Sequence, residues 1–293
     1  MNTPIEFDRL WDYNDPAATE AKFCQILPGF AANSSERAEL LTQIARTQAL
    51  QAQFERAHAT LDEAEKMLQP DWTRARIRYC LERGRVYNSS GHVDAARSLF
   101  LNAWELTINC RCEDGLAIDA AHMMAIVEPP NKQLDWNLQA LAMAERSNDE
   151  KAKRWKASLY NNIGWTYHDQ GKYDVALDYF QKALSEREAR QSEPEIRIAR
   201  WCVARALRSL GCIDDALSMQ QALLAELETA GEKDGFVSEE IGECLLVQGK
   251  QKEAMPHFAR AYELLSKDIW LARNEAARLE RLLNLSEGNF PPL

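Results

Sequence analysis

The chain has 293 residues, 46% of them hydrophobic and 27% charged, and its net charge of −10 leaves it without the broad basic footprint that phosphate backbones require, which excludes nucleic acid as the expected partner. The 12 glycines and 10 prolines fall mainly between apolar periodic segments. No run of alternating β-branched residues reads as a strand, so an all-α chain is expected.

In chain order, Asp15-Pro16 reads as an N-cap and first helical residue, opening a helix through about Leu27 within an N-terminal capping region, residues 1–37. From residue 38 a helix-turn-helix pattern recurs. Its first copy holds Ala45, Phe54, Ala57, Leu61 and Ala64, and its second Gly84, Tyr87, Gly91, Ala96, Phe100 and Ala103. The third is degenerate, with Ala121 near the small-residue position, the turn Glu128-Pro129-Pro130-Asn131, and a second helix around Trp136 to Ala144. The fourth is the clearest: Tyr160, Ile163, Gly164 and Tyr167 on one helical stripe, Gly171 in the turn, then Tyr173, Ala176, Phe180 and Ala183. Ala204, Leu207, Gly211, Ala216 and Leu223 make the fifth, and Gly242, Leu245, Gly249, Ala254, Phe258 and Ala261 the sixth. Beyond residue 265 a capping helix from about Asp268 to Leu285 presents Ile269, Leu271, Ala276, Leu279 and Leu282 to the last copy, and the tail 286–293, with Gly288, Pro291 and Pro292, is expected to fray.

Ala57, Ala96, Ala176, Ala216 and Ala254 mark the period, at intervals of 39, 80, 40 and 38 residues, the 80 being two periods. Self-similarity of this kind reads as a solenoid, one continuous domain grown by adding units. The fourth copy resembles the tetratricopeptide repeat almost position for position, with Tyr160 where that family usually has Trp. The resemblance covers about residues 38–265 and implies a right-handed α-solenoid of about six units. The family's usual period is 34 residues; units of 38–41 imply helices longer by roughly one and a half turns. Such units are similar to those of kinesin light chains, the Leu-Gly-Asn repeat proteins and bacterial peptide-sensing regulators.

Chemistry is sparse. No phosphate-binding glycine loop, zinc-protease motif or nucleophile elbow is present, and the histidines are spread over the repeats, so no enzyme, cofactor or metal is expected. The 7 cysteines are odd in number and scattered. The close pair Cys110-x-Cys112 lacks a second ligand pair, and reduced thiols are expected throughout. Met1 to Pro16 carries five charged residues and no apolar segment, and no apolar run is long enough to span a bilayer, so a cytoplasmic protein off the membrane is expected.

The family's geometry places function in a concave groove built from the first helix of each unit. With the small residue as position 8, the inward positions implied are 2, 5, 9 and 12. Position 9 reads Arg46, Arg85, His122, Trp165, Arg205 and Glu243; position 12 includes Asn88, His168 and Arg208; position 2 adds Arg78, and position 5 adds Asn161 and Trp201. Those columns hold five arginines against Glu39, Glu239 and Glu243, an excess of two positive charges in an acidic chain. A relatively basic groove follows, unless the arginines simply snorkel along their helices. Asn161 and Asn162 resemble the inward asparagines with which family members hold a peptide backbone; the alternative is a satisfied intramolecular amide. Trp165 and Trp201 either accept an apolar anchor or pack between adjacent first helices. The chaperone-tail clamp, which needs lysine at position 5 and asparagine at position 9, is absent. The expectation is a protein-protein interaction scaffold or adaptor binding an acidic or carboxylate-bearing peptide or protein segment. The alternative is a peptide-sensing regulator that changes superhelical shape. The oligomeric state is left open.

Overall fold

The computed structural model describes residues 7–110 and 114–290; Glu6, Cys112, Pro291 and Pro292 lie outside these, as does the side chain of Ile269. The described residues form an all-α solenoid of helix pairs, in two compact units, residues 1–159 and 160–293. In the first unit α1 (Pro16–Ile26) precedes the pairs α2 (Ser35–Leu50) and α3 (Phe54–Met67), α4 (Thr73–Ser89) and α5 (Val93–Cys110), and α6 (Asp114–Val127) and α7 (Pro130–Arg146). A short α8 (Glu150–Lys153) follows, and the division between the units falls within α9 (Trp155–Asp169). The second unit continues with α10 (Tyr173–Glu188), α11 (Glu193–Ser209), α12 (Ile213–Thr229), α13 (Gly235–Val247) and α14 (Gln251–Leu265), then α15 (Ile269–Asn274) and α16 (Ala276–Ser286).

Local chemistry sets the helix starts. Asp15 Oδ1 accepts from the Ala18 amide at 2.9 Å and Pro16 opens α1, while Ser34 caps α2 through the Arg37 amide at 3.3 Å. The C-terminal cap departs from a single helix. It breaks at Glu275 (φ −126°, ψ 35°), where Asn274 Nδ2 turns back to the Trp270 carbonyl at 2.9 Å, a local bond that competes with helix continuation. Leu271, Leu279, Leu282 and Leu285 nonetheless pack on the core of α13 and α14.

One rule organises the pairs. In every copy the small residue of the first helix and one residue of the second are 16 apart: Ala45 and Leu61, Gly84 and Phe100, Ala121 and Asn137, Gly164 and Phe180, Ala204 and Gln220, Gly242 and Phe258. Glycine is matched with phenylalanine, alanine with something slimmer. The cause is steric, since a Cβ on Gly164 would stand 2.6 Å from the Phe180 ring and one on Gly242 2.8 Å from that of Phe258, and Gly84 faces Phe100 in the same way. All three rings are fully buried. Where alanine replaces glycine, Asn137 and Gln220 occupy the ring's place, and Gln220 buries a carboxamide with neither atom partnered.

Seven residues after the small residue the chain turns with a positive φ: 86° at Gly91, 73° at Gly171, 82° at Gly211 and 75° at Gly249. The first copy puts Ala52 there, at 58°. Ala52→Gly is therefore expected to raise stability by about 1 kcal/mol, because the left-handed region costs a Cβ-bearing residue that much; a urea midpoint that falls instead would show the alanine methyl to be packed.

Candidate functional site

The first helices carry their charges in pairs that span one repeat. In the unit formed by residues 1–159, the Arg46 guanidinium donates to Glu82 at 3.2 and 3.3 Å and lies over the rings of Trp11 and Tyr13 at 5.8 and 5.7 Å. Glu82 also accepts from Arg85 at 2.7 Å, and Arg85 reaches on to Asp119. Arg78 pairs with Glu39 at 3.2 Å, beside Arg74. Burial works against the Asp119 charge, but the Arg85 guanidinium overcomes it and holds the carboxyl below its usual value. His122 lies against Trp155 (5.2 Å), burial holding its pKa down, and Asn88 ends α4, its carbonyl accepting from Gly91.

These contacts change the charge reading of the sequence. Glu82, Asp119 and Glu240 all stand at position 6, a column outside the four counted. Including it turns an excess of two positive charges into an excess of one negative. Arginines 46, 78 and 85 are joints between helices. The signal was present as opposite charges 34 to 36 residues apart, from position 9 of one copy to position 6 of the next: Arg46 and Glu82, Arg85 and Asp119, Arg205 and Glu240.

In the unit formed by residues 160–293 the ladder stops and restarts. α9 carries no charge at these positions; it offers Asn161, Asn162 and Trp165 instead. Asn161 Oδ1 accepts from the Cys202 thiol at 3.3 Å, and burial pushes that thiol up to about 11. Trp165, Trp201 and Phe236 form a diagonal file across α9, α11 and α13, with ring centroids 5.9 and 6.2 Å apart, and Trp165 also touches Phe180 and His168. Asn161, Trp165, His168, Trp201, Arg205 and Arg208 thus gather, whereas Arg46, Arg78, Arg85, Asn88 and His122 belong to the other unit. His168 Nε2 and Arg205 both bond the Ser209 hydroxyl, at 2.9 and 2.6 Å. Burial, then the neighbouring Arg205, lowers the His168 pKa, so the ring is neutral at pH 7.

Beyond the tryptophans the charges resume. Arg205 and Arg208 share Glu240, at 3.2 Å and at 2.7 and 3.0 Å, while Arg278 and Arg281 of α16 hold Glu239 and Glu243. Beside the file lies a cavity of about 460 Å³ whose walls include Ile198, Trp201, Leu223, Leu227, Phe236 and Val237. Ile198 is 56% exposed and the buried Trp201 Nε1 has no hydrogen-bond partner. The repeat pattern singles out neither Leu227 nor Phe236; of the walls of this cavity it marks Leu223 as a packing residue and Trp201 as a groove residue.

Among the described residues no group of His, Cys, Asp and Glu could hold a metal ion, and no helix is long and apolar enough to cross a membrane. Cys24, Cys80, Cys202, Cys212 and Cys244 are free thiols, but Cys110 is disulfide-bonded, against the expectation of reduced thiols throughout.

Paired helices, glycine-to-ring packing and a ladder of charges between first helices define a tetratricopeptide-repeat solenoid. A family model for the tetratricopeptide repeat matches residues 134–188, which contain the fourth copy, and the helix pairs of the described residues are of that kind. No curated protein matches the sequence significantly. Among solved structures the chain is similar to the apo form of RapI (TM-score 0.70, 13% identity, 96% of this chain and 80% of that one). It is also similar to a signal-transduction ATPase with a tetratricopeptide-repeat sensor from Pyrococcus horikoshii (0.68, 12%, 91% and 41%). A third is NprR in complex with its cognate peptide NprX (0.61, 14%, 98% and 84%). At these identities the likeness is one of fold.

Proposed function

We propose that this protein is a scaffold that binds a peptide, or a peptide-like segment of another protein, through the first helices of residues 160–293. The observation that carries this reading is the break in the charge ladder, where Asn161, Trp165 and Trp201 replace ion pairs next to an apolar cavity. A carboxamide offers a donor and an acceptor to a backbone, and a half-buried tryptophan is the kind of residue on which binding energy concentrates. The cavity falls in the range of pockets that take small ligands and side chains, about 300–1,000 Å³. NprR, which has the same fold, is held with a peptide in its solved structure, in keeping with this reading. The ligand is carboxylate-bearing: two arginines share Glu240, and Arg205, 25% exposed, makes the longer contact and is the one open to a second carboxylate. No catalytic role is proposed.

A regulatory reading stands second. Arg205 and Arg208 form the joint between α11 and α13, so a ligand carboxylate that competes for Arg205 acts on a hinge between repeats. Small-angle scattering with and without bound peptide separates the two, since the regulator changes shape and the adaptor does not. Selection from a displayed random-peptide library tests the scaffold itself. Wild type is expected to enrich peptides that Trp201→Ala no longer retains. Equal retention by both places the site elsewhere.

A further inference from the structure

Ile198, Trp201 and Arg205 lie at i, i+3 and i+7 along α11, which sets them on one stripe of the helix. Ile198 and Trp201 wall the cavity. Arg205, 25% exposed, lies just beyond it toward the C-terminal end of the helix. At 1.5 Å per residue, Ile198 and Arg205 are separated by about 10 Å along the axis. A peptide in the extended polyproline II conformation advances about 3.1 Å per residue and turns once every three, so three residues cover about the same distance and bring side chains i and i+3 to one face.

Arg205 is the more loosely held of the two arginines on Glu240. Glu240 takes its two strongest bonds from Arg208, at 2.7 and 3.0 Å, and meets Arg205 at 3.2 Å. The other carboxylates of α13 facing this row are engaged elsewhere, Glu239 by Arg278 and Glu243 by Arg281. His168, on the α9 side, supplies no negative charge. Burial first, and then the neighbouring Arg208, hold the Arg205 guanidinium below its ordinary pKa against the opposing pull of Glu240 and Glu243. A second carboxylate beside it completes the pairing.

We propose that the ligand is an extended peptide segment carrying a bulky apolar side chain and, three residues from it, an Asp or Glu, the apolar group entering the cavity beside Ile198 and Trp201 and the acidic side chain bonding Arg205. This rests on the scaffold reading and adds to it the spacing and the identity of the two groups.

The test uses the full chain and fluorescein-labelled Gly/Ser decapeptides, acetylated and amidated, each with one Leu and one Glu placed one to six residues to either side. Fluorescence anisotropy is expected to give the tightest binding at a separation of three, about tenfold above a separation of one, the gain of a charged hydrogen bond. Arg205→Gln, which leaves Glu240 with Arg208, flattens the dependence on Glu while Leu-dependent binding survives. Ile198→Glu, at an exposed position, removes binding of every peptide. Equal affinity at all separations, or an optimum at three that persists in Arg205→Gln, overturns the spacing and leaves the scaffold standing. Preference for a free C-terminal carboxylate over the Glu side chain overturns the assignment of the acid. Failure of every peptide to bind overturns the inference and the scaffold reading together.

Discussion

Glu82→Ala is expected to lower stability by about 3 kcal/mol, at the lower end of what removing one partner of a buried ion pair costs. The carboxylate is 5% exposed and serves two guanidiniums, Arg46 and Arg85. Removing it weakens the hold on both: Arg46 keeps the faces of Trp11 and Tyr13 and a longer-range attraction to Asp119, and Arg85 keeps Asp119. Arg85→Glu is expected to cost more, since it sets three carboxylates in a row on α4 and α6. The control is the exposed pair Lys182 and Asp178 on α10, where Lys182→Ala should change stability by no more than about 0.5 kcal/mol. Urea unfolding followed by circular dichroism measures all three. A Glu82→Ala loss no larger than the control would mean that water replaces the carboxylate at no cost. The same reasoning makes charge reversal of Arg85 a stability experiment rather than a probe of binding.

Gly164→Leu should cost about 1–3 kcal/mol by overpacking. A Cβ there would stand 2.6 and 2.7 Å from two atoms of the Phe180 ring, which is itself fully buried against Trp165 and cannot swing away. The informative variant is a pair. Gly164→Ala combined with Phe180→Leu rebuilds the arrangement that the first copy has in Ala45 and Leu61, and should recover part of what Gly164→Ala alone loses. Losses that simply add would show that the two positions do not share the space.

The fold was legible because its determinants are local and periodic. Gly84, Gly164 and Gly242 with their phenylalanines, and the turn glycines seven residues on, repeat at a fixed spacing that one sequence displays. The break at Glu275 was not, since a side-chain bond from Asn274 decides it within a segment whose leucines keep helical periodicity. The candidate site was legible in part. Trp165, Trp201, Asn161, Arg205 and Arg208 were marked by column and do gather. The ion pairs were missed because columns were weighed one at a time, while Arg46 and Glu82 acquire meaning only together. The cavity was missed because its walls come from three helices and a loop: Ile198 and Trp201 from α11, Leu223 and Leu227 from α12, Phe236 and Val237 from α13, and Glu232 between them.

The ladder also gives each seam between copies an address. A copy that carries an acid at its sixth position and arginine at its ninth, as the second does with Glu82 and Arg85, offers its carboxylate to the copy before it and its cation to the copy after. Tandem duplication of that copy would set a new Arg85 opposite a new Glu82, and both would be satisfied. The same segment inserted after the fourth copy would bring Glu82 opposite Trp165, a buried carboxylate against an indole face. A chain of this kind can lengthen at some seams and not at others, and the seam closed to insertion is the one beside the proposed peptide site.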